Sequence, residues 1–253
     1  MATVISVTNQ KGGVGKTTTA VNVAYFLAKA GKTTLLVDFD PQGNATSGLG
    51  FDKQELQATM TEVMLGTIPL ADVVIPTKHK HLSLAPSTPH LANTEVELAQ
   101  AQHRFTRLKT AIDSLDDYDF IIIDSPPSLS LLTVNGLIAA RYVLLPVQAE
   151  FYALEGLGQL LETMKLVRKN MNPSLDLLGV LPTMMDSRTT LSTQVLAEIQ
   201  KHFPGKVFDH PIPRNIRLAE APSHGLPVGA YDRFSKGARA YKAVTKEVLE
   251  RVG

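Results

Sequence analysis

The chain has no cysteine among its 253 residues. That one absence removes disulfide scaffolds, thiolate nucleophiles, cysteine-held zinc and iron–sulfur clusters together. Charge of a prevailing sign is missing too: 25 Lys+Arg stand against 24 Asp+Glu, a formal net charge of +1. This balance speaks against a constitutively basic nucleic-acid coat protein and leaves local patches open. The longest apolar runs fall short of the roughly 18 residues that span a bilayer. Val4–Val7 has neither the length nor the preceding positive flank of a secretory signal. Low-complexity linkers and internal repeats are absent as well. Together these absences predict a cytoplasmic chain.

What is present is enough apolar material for a large core, 44% of residues, laid out in an alternation. Short β-rich runs occur at Thr3–Thr8, Thr34–Asp38, Leu82–Ala85, Phe120–Asp124, Val143–Val147 and Leu177–Leu181, with a weaker one near Val207–Phe208. Helical patterns lie near 17–30, 93–115, 152–171, 189–203 and 236–252. Strands alternating with helices predict an α/β fold, a mostly parallel central sheet covered by helices on both faces. Several runs are apolar at every position, as strands buried on both sides must be. At about 150 residues per domain the length allows one large domain or two small ones. Without a linker, a single domain over 1–253 is expected. Charge is uneven along it. Residues 1–160 carry 11 Lys+Arg and 15 Asp+Glu, net −4, whereas residues 161–253 carry 14 and 9, net +5.

The first strand is followed by Lys11-Gly12-Gly13-Val14-Gly15-Lys16-Thr17-Thr18. A phosphate cradle needs glycines so that successive backbone N–H groups can converge on an anion. It also needs a helix N-terminus behind it, and the pattern 17–30 supplies one, ending at Gly31. Lys16 offers a point charge for β- and γ-phosphates, and Thr17 a hydroxyl for Mg²⁺. The usual G-x-x-x-x-G-K-[ST] spacing is not strictly met, because Gln10 stands where its first glycine belongs.

Two further strands end in acids. Asp38 and Asp40 close the second, and Asp124, followed by Ser125-Pro126-Pro127, closes the run Ile121-Ile122-Ile123. Carboxylates at the carboxyl ends of strands lie where α/β sheets bind ligands. One acid of the first pair suits water positioning or a metal contact through water; Asp124 has the form of a Walker B acid that holds Mg²⁺ through its hydration shell.

Lys11-Gly12-Gly13-Val14-Gly15-Lys16-Thr17 resembles the deviant Walker A motif of the ParA/MinD family of ATPases. Asp38-Phe39-Asp40-Pro41-Gln42-Gly43-Asn44-Ala45-Thr46 looks like that family's second nucleotide motif, and Asp124-Ser125-Pro126-Pro127 like its Walker B and switch segment. Ala153-Leu154-Glu155-Gly156, Met185-Asp186-Ser187-Arg188-Thr189 and the segment Ile212–His224 are similar to segments of the chromosomal ParA proteins often called Soj. The resemblance implies ATP and Mg²⁺ as cofactors and an ATP-sandwich homodimer in which Lys11 reaches the partner's nucleotide. It assigns hydrolysis to Lys11, Lys16 and Asp40. Phosphate binding falls to Lys11, Gly12, Gly13, Val14, Gly15, Lys16, Thr17 and Thr18; the metal falls to Thr17, Asp40 and Asp124. Met184, Pro213 and Asn215 are implied near the base. It further implies non-specific binding of double-stranded DNA by the ATP dimer, through Arg188, Arg217 and Lys236 with Arg239 and Lys242 nearby. A ParB-type partner would stimulate hydrolysis, and the chain would associate with the nucleoid rather than a membrane.

The same residues bear on other functions. A MinD-like division-site regulator would call for a C-terminal amphipathic membrane helix. Here Tyr241, Val244, Val248, Leu249 and Val252 form a stripe at helical spacing that suits docking on the core. A redox relative resembling the nitrogenase iron protein is excluded by the missing cysteines. An ATP-dependent ligase or kinase of the same fold stays open. The seven histidines show no metal-ligand spacing. Strand one starting at Thr3 leaves no room for an N-terminal DNA-reading domain within the sequence.

Overall fold

Strands buried on both faces form the middle of the sheet in the computed structural model, which describes residues 2–150, 157–186 and 188–253. Seven strands occur among the described residues: β1 Thr3–Val7, β2 Thr34–Asp38, β3 Ile75–Pro76, β4 Leu82–Ala85, β5 Phe120–Asp124, β6 Tyr142–Gln148 and β7 Asp176–Thr183. They run in the order β3-β4-β2-β5-β1-β6-β7. All neighbours are parallel except β3, which is antiparallel to β4. Alternation along each strand divides the core in two. Leu35, Val37, Ile121, Ile123 and Leu145 face one layer, packed with the helices Met60–Leu65, Leu131–Ala139 and Leu157–Asn170. Leu36, Ile122, Ile5, Val7 and Leu144 face the other, covered by the helices Lys16–Lys29 and Lys236–Val252.

The C-terminal helix starts at Ser235, whose hydroxyl accepts from the Ala238 N–H at 3.1 Å. Its apolar stripe is buried, with Tyr241 1% exposed and Val244 and Val248 fully covered. Each such side chain contributes about 1.5–3 kcal/mol of burial. The Tyr241 and Thr19 hydroxyls meet at 3.0 Å, pinning this helix to the first one just behind the glycine loop.

The helical pattern over 93–115 is corrected by the structure, which has only Asn93–Glu97 and Arg107–Asp113 there. Between them His103 takes a left-handed backbone, φ 60°, which a continuous helix cannot contain. The weak strand near Val207–Phe208 reduces to one parallel bridge between Val207 and Val180. Of the pattern 152–171 the helix Leu157–Asn170 is seen; Ala153–Gly156 lies outside the described residues.

Candidate nucleotide site

Register places the site. Val7 and Asp38 both pair with Asp124, so the ends of β1, β2 and β5 form one row at the carboxyl edge of the sheet. The loop leaves β1 at this row. Asn9 anchors its start by donating to the Pro146 carbonyl at 2.7 Å and accepting from the Lys11 N–H at 3.0 Å. The Thr183 hydroxyl, at the end of β7, holds the Val14 carbonyl at 2.8 Å. Gly15 turns the chain into the helix with φ 88°, a conformation open to glycine at no steric cost.

Lys16 is the first residue of that helix and is 7% exposed. Its ammonium donates to the Lys11 carbonyl at 2.9 Å and so lies inside the loop's curl. Burial lowers its pKa, opposed by the negative charges of Asp124 and Asp40. Lys11 points elsewhere. Its side chain is 42% exposed, and its ammonium lies 3.3 Å from Glu150 Oε2, just past the end of β6.

The three acids differ in their partners. Asp38 is fully buried and accepts from the Thr46 N–H and hydroxyl, each at 2.7 Å. It therefore ties the short helix Asn44–Gly48 to the end of β2. Burial nevertheless pushes its pKa up to about 6 against those bonds. Asp40, 6% exposed, accepts from the Gln42 N–H at 2.9 Å, and its carbonyl accepts from the Ser87 hydroxyl at 2.9 Å. Asp124 is fully buried, and neither of its carboxylate oxygens has a well-formed hydrogen bond among the described residues. Its pKa is raised well above the usual carboxylate range by burial first, then by Asp38; the nearby Thr17 hydroxyl and the Lys16 charge offset part of this. A buried carboxylate with both oxygens free is costly unless a cation or donor meets it. No cluster of three or more His, Asp or Glu able to hold a metal occurs among the described residues. A hard cation carrying water and phosphate oxygens, gripped by Thr17 and approached by one buried carboxylate, fits this pattern.

Beside the loop is a cavity of ≈ 270 Å³ lined by Gly15, Thr18, Met184, Pro213, Asn215 and Tyr241, among others. Residues far apart in sequence are joined there by a bridge between Met185 and Pro213, which extends the sheet edge past β7. The Asn215 Oδ1 is buried in this wall without a partner among the described residues.

The family model for the AAA domain matches residues 2–177. The sporulation initiation inhibitor protein Soj of Bacillus subtilis is 50% identical over 249 residues, 98% of each chain. The chromosome partitioning protein ParA of Myxococcus xanthus is 49% identical over 249 residues, 98% of this chain and 88% of that one. The chain belongs to the ParA/Soj family of P-loop ATPases. Among solved structures, a cobyrinic acid a,c-diamide synthase from Mycobacterium smegmatis with bound ATP analog and magnesium is 40% identical, with a TM-score of 0.90 over 100% of this chain and 96% of that one.

Within this ATPase fold the three basic residues expected to meet DNA differ in their partners. Arg188 is held by Asp186, at 2.9 and 2.7 Å. Arg217 is shared between Glu220 at 2.8 Å and Asp232 at 3.4 Å. Lys236 is exposed at the start of the C-terminal helix with no ion pair among the described residues. Glu150 and Asn9 carry no signal in the sequence pattern. Glu150 stands 139 positions from Lys11, and no spacing rule links residues that only a parallel sheet brings together.

Proposed function

We propose that this chain is a DNA-partition ATPase whose ATP-bound homodimer holds duplex DNA without sequence preference and releases it on hydrolysis. The observation that carries the reading is the division of labour between two lysines on one loop. Lys16 fills the loop from inside, whereas Lys11 projects outward from its own phosphate site. A lysine so placed is available to a nucleotide across an interface. A relative's name supports the rest: at 49% identity over 98% of this chain, the Myxococcus xanthus protein is named a chromosome partitioning protein. Fold alone does not choose among functions, and the neighbour named as a diamide synthase is less similar, at 40%.

In this reading Lys16 and the loop N–H groups bind the β- and γ-phosphates, and Thr17 with Asp124 holds hydrated Mg²⁺. That ion supplies charge neutralisation on the phosphates. Asp40 orients the attacking water, and the partner's loop lysine stabilises charge on the γ-phosphate. Met184, Pro213 and Asn215 enclose the base. Asp38 acts as an anchor rather than a ligand, since Thr46 occupies it.

The DNA surface is best supported at a groove between the first and last helices. A cavity of ≈ 1140 Å³ there carries Lys29, Arg233, Arg239, Lys242 and Lys246, with no acid among the described residues lining it. Of these five, only Lys246 makes an ion pair among the described residues, 3.4 Å from Glu250. Arg188 and Arg217, by contrast, must first give up carboxylates. One copy of such a groove makes few phosphate contacts; two copies joined by ATP bind with avidity. A ParB-type partner and a nucleoid location follow from the same reading. The MinD-like alternative loses support because the C-terminal apolar stripe is spent on the core. No helix among the described residues is long and apolar enough to cross a membrane.

Sedimentation velocity and DNA retardation with a slowly hydrolysed ATP analogue test the proposal, with ADP as control and liposomes alongside. Dimerisation and salt-sensitive DNA binding with the analogue alone are expected. Equal DNA binding without nucleotide would sink the ATP switch, and liposome capture would restore the membrane reading.

A further inference from the structure

Buried side-chain polar atoms without a partner fall in six of the described residues: Gln10, Thr61, Arg107, Asp124, Ser130 and Asn215. Gln10, Asp124 and Asn215 belong to the nucleotide site, and Ser130 sits on the loop after β5. Orphaned polar atoms thus mark the place where a ligand is needed, as expected when burial leaves donors and acceptors for something outside the chain. Thr61 and Arg107 lie elsewhere, on the helices Met60–Leu65 and Arg107–Asp113. Those two helices wall a second cavity of ≈ 700 Å³. Its size falls in the usual range of about 300–1,000 Å³ for small-molecule sites.

The wall of this cavity has a definite chemistry. Val63, Ile68, Pro69 and Leu70 form an apolar side. Gln102, His103, Thr106, Thr110 and Ser114 bring polar groups, and Arg107 brings the one permanent charge. No Asp or Glu among the described residues lines it. The Arg107 guanidinium makes no ion pair and no hydrogen bond among the described residues, and its Nε is buried. Gly66, which closes the helix Met60–Leu65 with a left-handed backbone at φ 78°, lies beside it, and a Cβ there would stand 2.8 Å from Arg107 Nη1. The guanidinium therefore rests against bare backbone, next to an apolar surface and away from any counter-ion among the described residues. Arginine presents a fixed fork of donors that matches a carboxylate in two-point fashion.

We infer that this cavity binds a small organic anion, a carboxylate on a short apolar body, with Arg107 as the recognising group and Val63, Ile68 and Leu70 covering the apolar part. The site shares no lining residue with the base cavity or the phosphate loop, so it is a second ligand site on the ATPase.

The test is a titration of the full chain with hexanoate, and with hexan-1-ol as the neutral match, followed by ¹⁵N NMR of the arginine Nε–Hε signals and backbone amides. Hexanoate is expected to move the Arg107 Nε–Hε signal and the amides of Gly66 and Ile68, while hexan-1-ol leaves Arg107 unmoved. Arg107→Gln should weaken hexanoate about tenfold or more, the loss of a charge-assisted pair. Arg107→Lys, which keeps a charge but loses the two-point fork, should weaken it as well. Retained thermal unfolding and ATP turnover establish that either variant is folded. Hexanoate binding unchanged in Arg107→Gln, equal binding of hexan-1-ol, or no response of the wild type up to the solubility limit would each overturn the site.

Discussion

The carboxyl edge of the sheet and the groove between the first and last helices are both charged, yet they are built on opposite principles. At the edge, Lys16, Asp38, Asp40 and Asp124 are all less than 9% exposed. Backbone register and short hydrogen bonds hold them close enough that the charges of Asp124 and Asp40 act on Lys16 and that of Asp38 acts on Asp124. In the groove, Arg233, Arg239 and Lys242 are exposed and without ion pairs among the described residues, set only by their positions at and along one helix. Buried charges act by position, in a medium where each interaction is strong. Exposed charges act by number, and salt screens them. A site for phosphoryl transfer needs the first arrangement, and a sequence-indifferent hold on a polyanion needs the second.

Substitutions that pull these two regions apart sharpen the contrast. The largest effect is expected from Lys16→Ala: nucleotide binding should fall at least 100-fold in a fluorescent-nucleotide titration, because a buried cation aimed at the phosphates is removed. Asp40→Ala should cut ATP turnover by roughly 100-fold while leaving nucleotide affinity near wild type, the pattern of a water-positioning group. A stable ATP dimer should accumulate in that variant, and wild-type phosphate release would remove Asp40 from its role. Gly12→Val should bind ATP yet remain monomeric in sedimentation. Within one chain a Cβ at Gly12 meets nothing within 4 Å, which leaves a second subunit as the expected source of the clash. Arg239→Glu with Lys242→Glu should weaken DNA binding tenfold or more and flatten its salt dependence by about 0.9 in slope for each phosphate left unneutralised. ATP turnover without DNA should stay unchanged; a matching drop there would mean that the two regions are not separable.

The smallest effect concerns stability and runs against function. The folded-state pKa of Asp124 lies above the ordinary 3.8, and that of Asp38 is about 6. Between the ordinary and raised values the folded chain binds more protons than the unfolded one. Stability of the nucleotide-free protein therefore falls as pH rises through that window. Asp124→Asn should raise its melting temperature near pH 7.5 by a few degrees, at about 2–4 °C per kcal/mol for a domain this size. The gain should shrink toward pH 5, and Mg²⁺-dependent nucleotide affinity should drop. A melting temperature unchanged at both pH values would mean that the buried carboxylate carries no penalty.

Much of the candidate site's geometry was legible in advance because its parts are local. A glycine loop between a strand and a helix, and acids at strand ends, are patterns within ten residues, set by backbone geometry and side-chain period. The strands were legible for the same reason, since β2, β4 and β5 fall at the expected bounds. The break at His103 was not, because its left-handed backbone leaves no mark on periodicity.

The sequence by itself determined the alternation that makes a parallel sheet, the phosphate loop with its two lysines, and the total charge. Only the tertiary structure decided how those charges are spent. It gave Asp38 to Thr46, left Asp124 without a well-formed hydrogen bond among the described residues, tied Arg188 and Arg217 to carboxylates and Lys11 to Glu150, and gathered cations in the groove. The physical reason is range. Propensity and period act over a few residues, whereas desolvation and pairing depend on neighbours that folding brings from as far as 139 positions away.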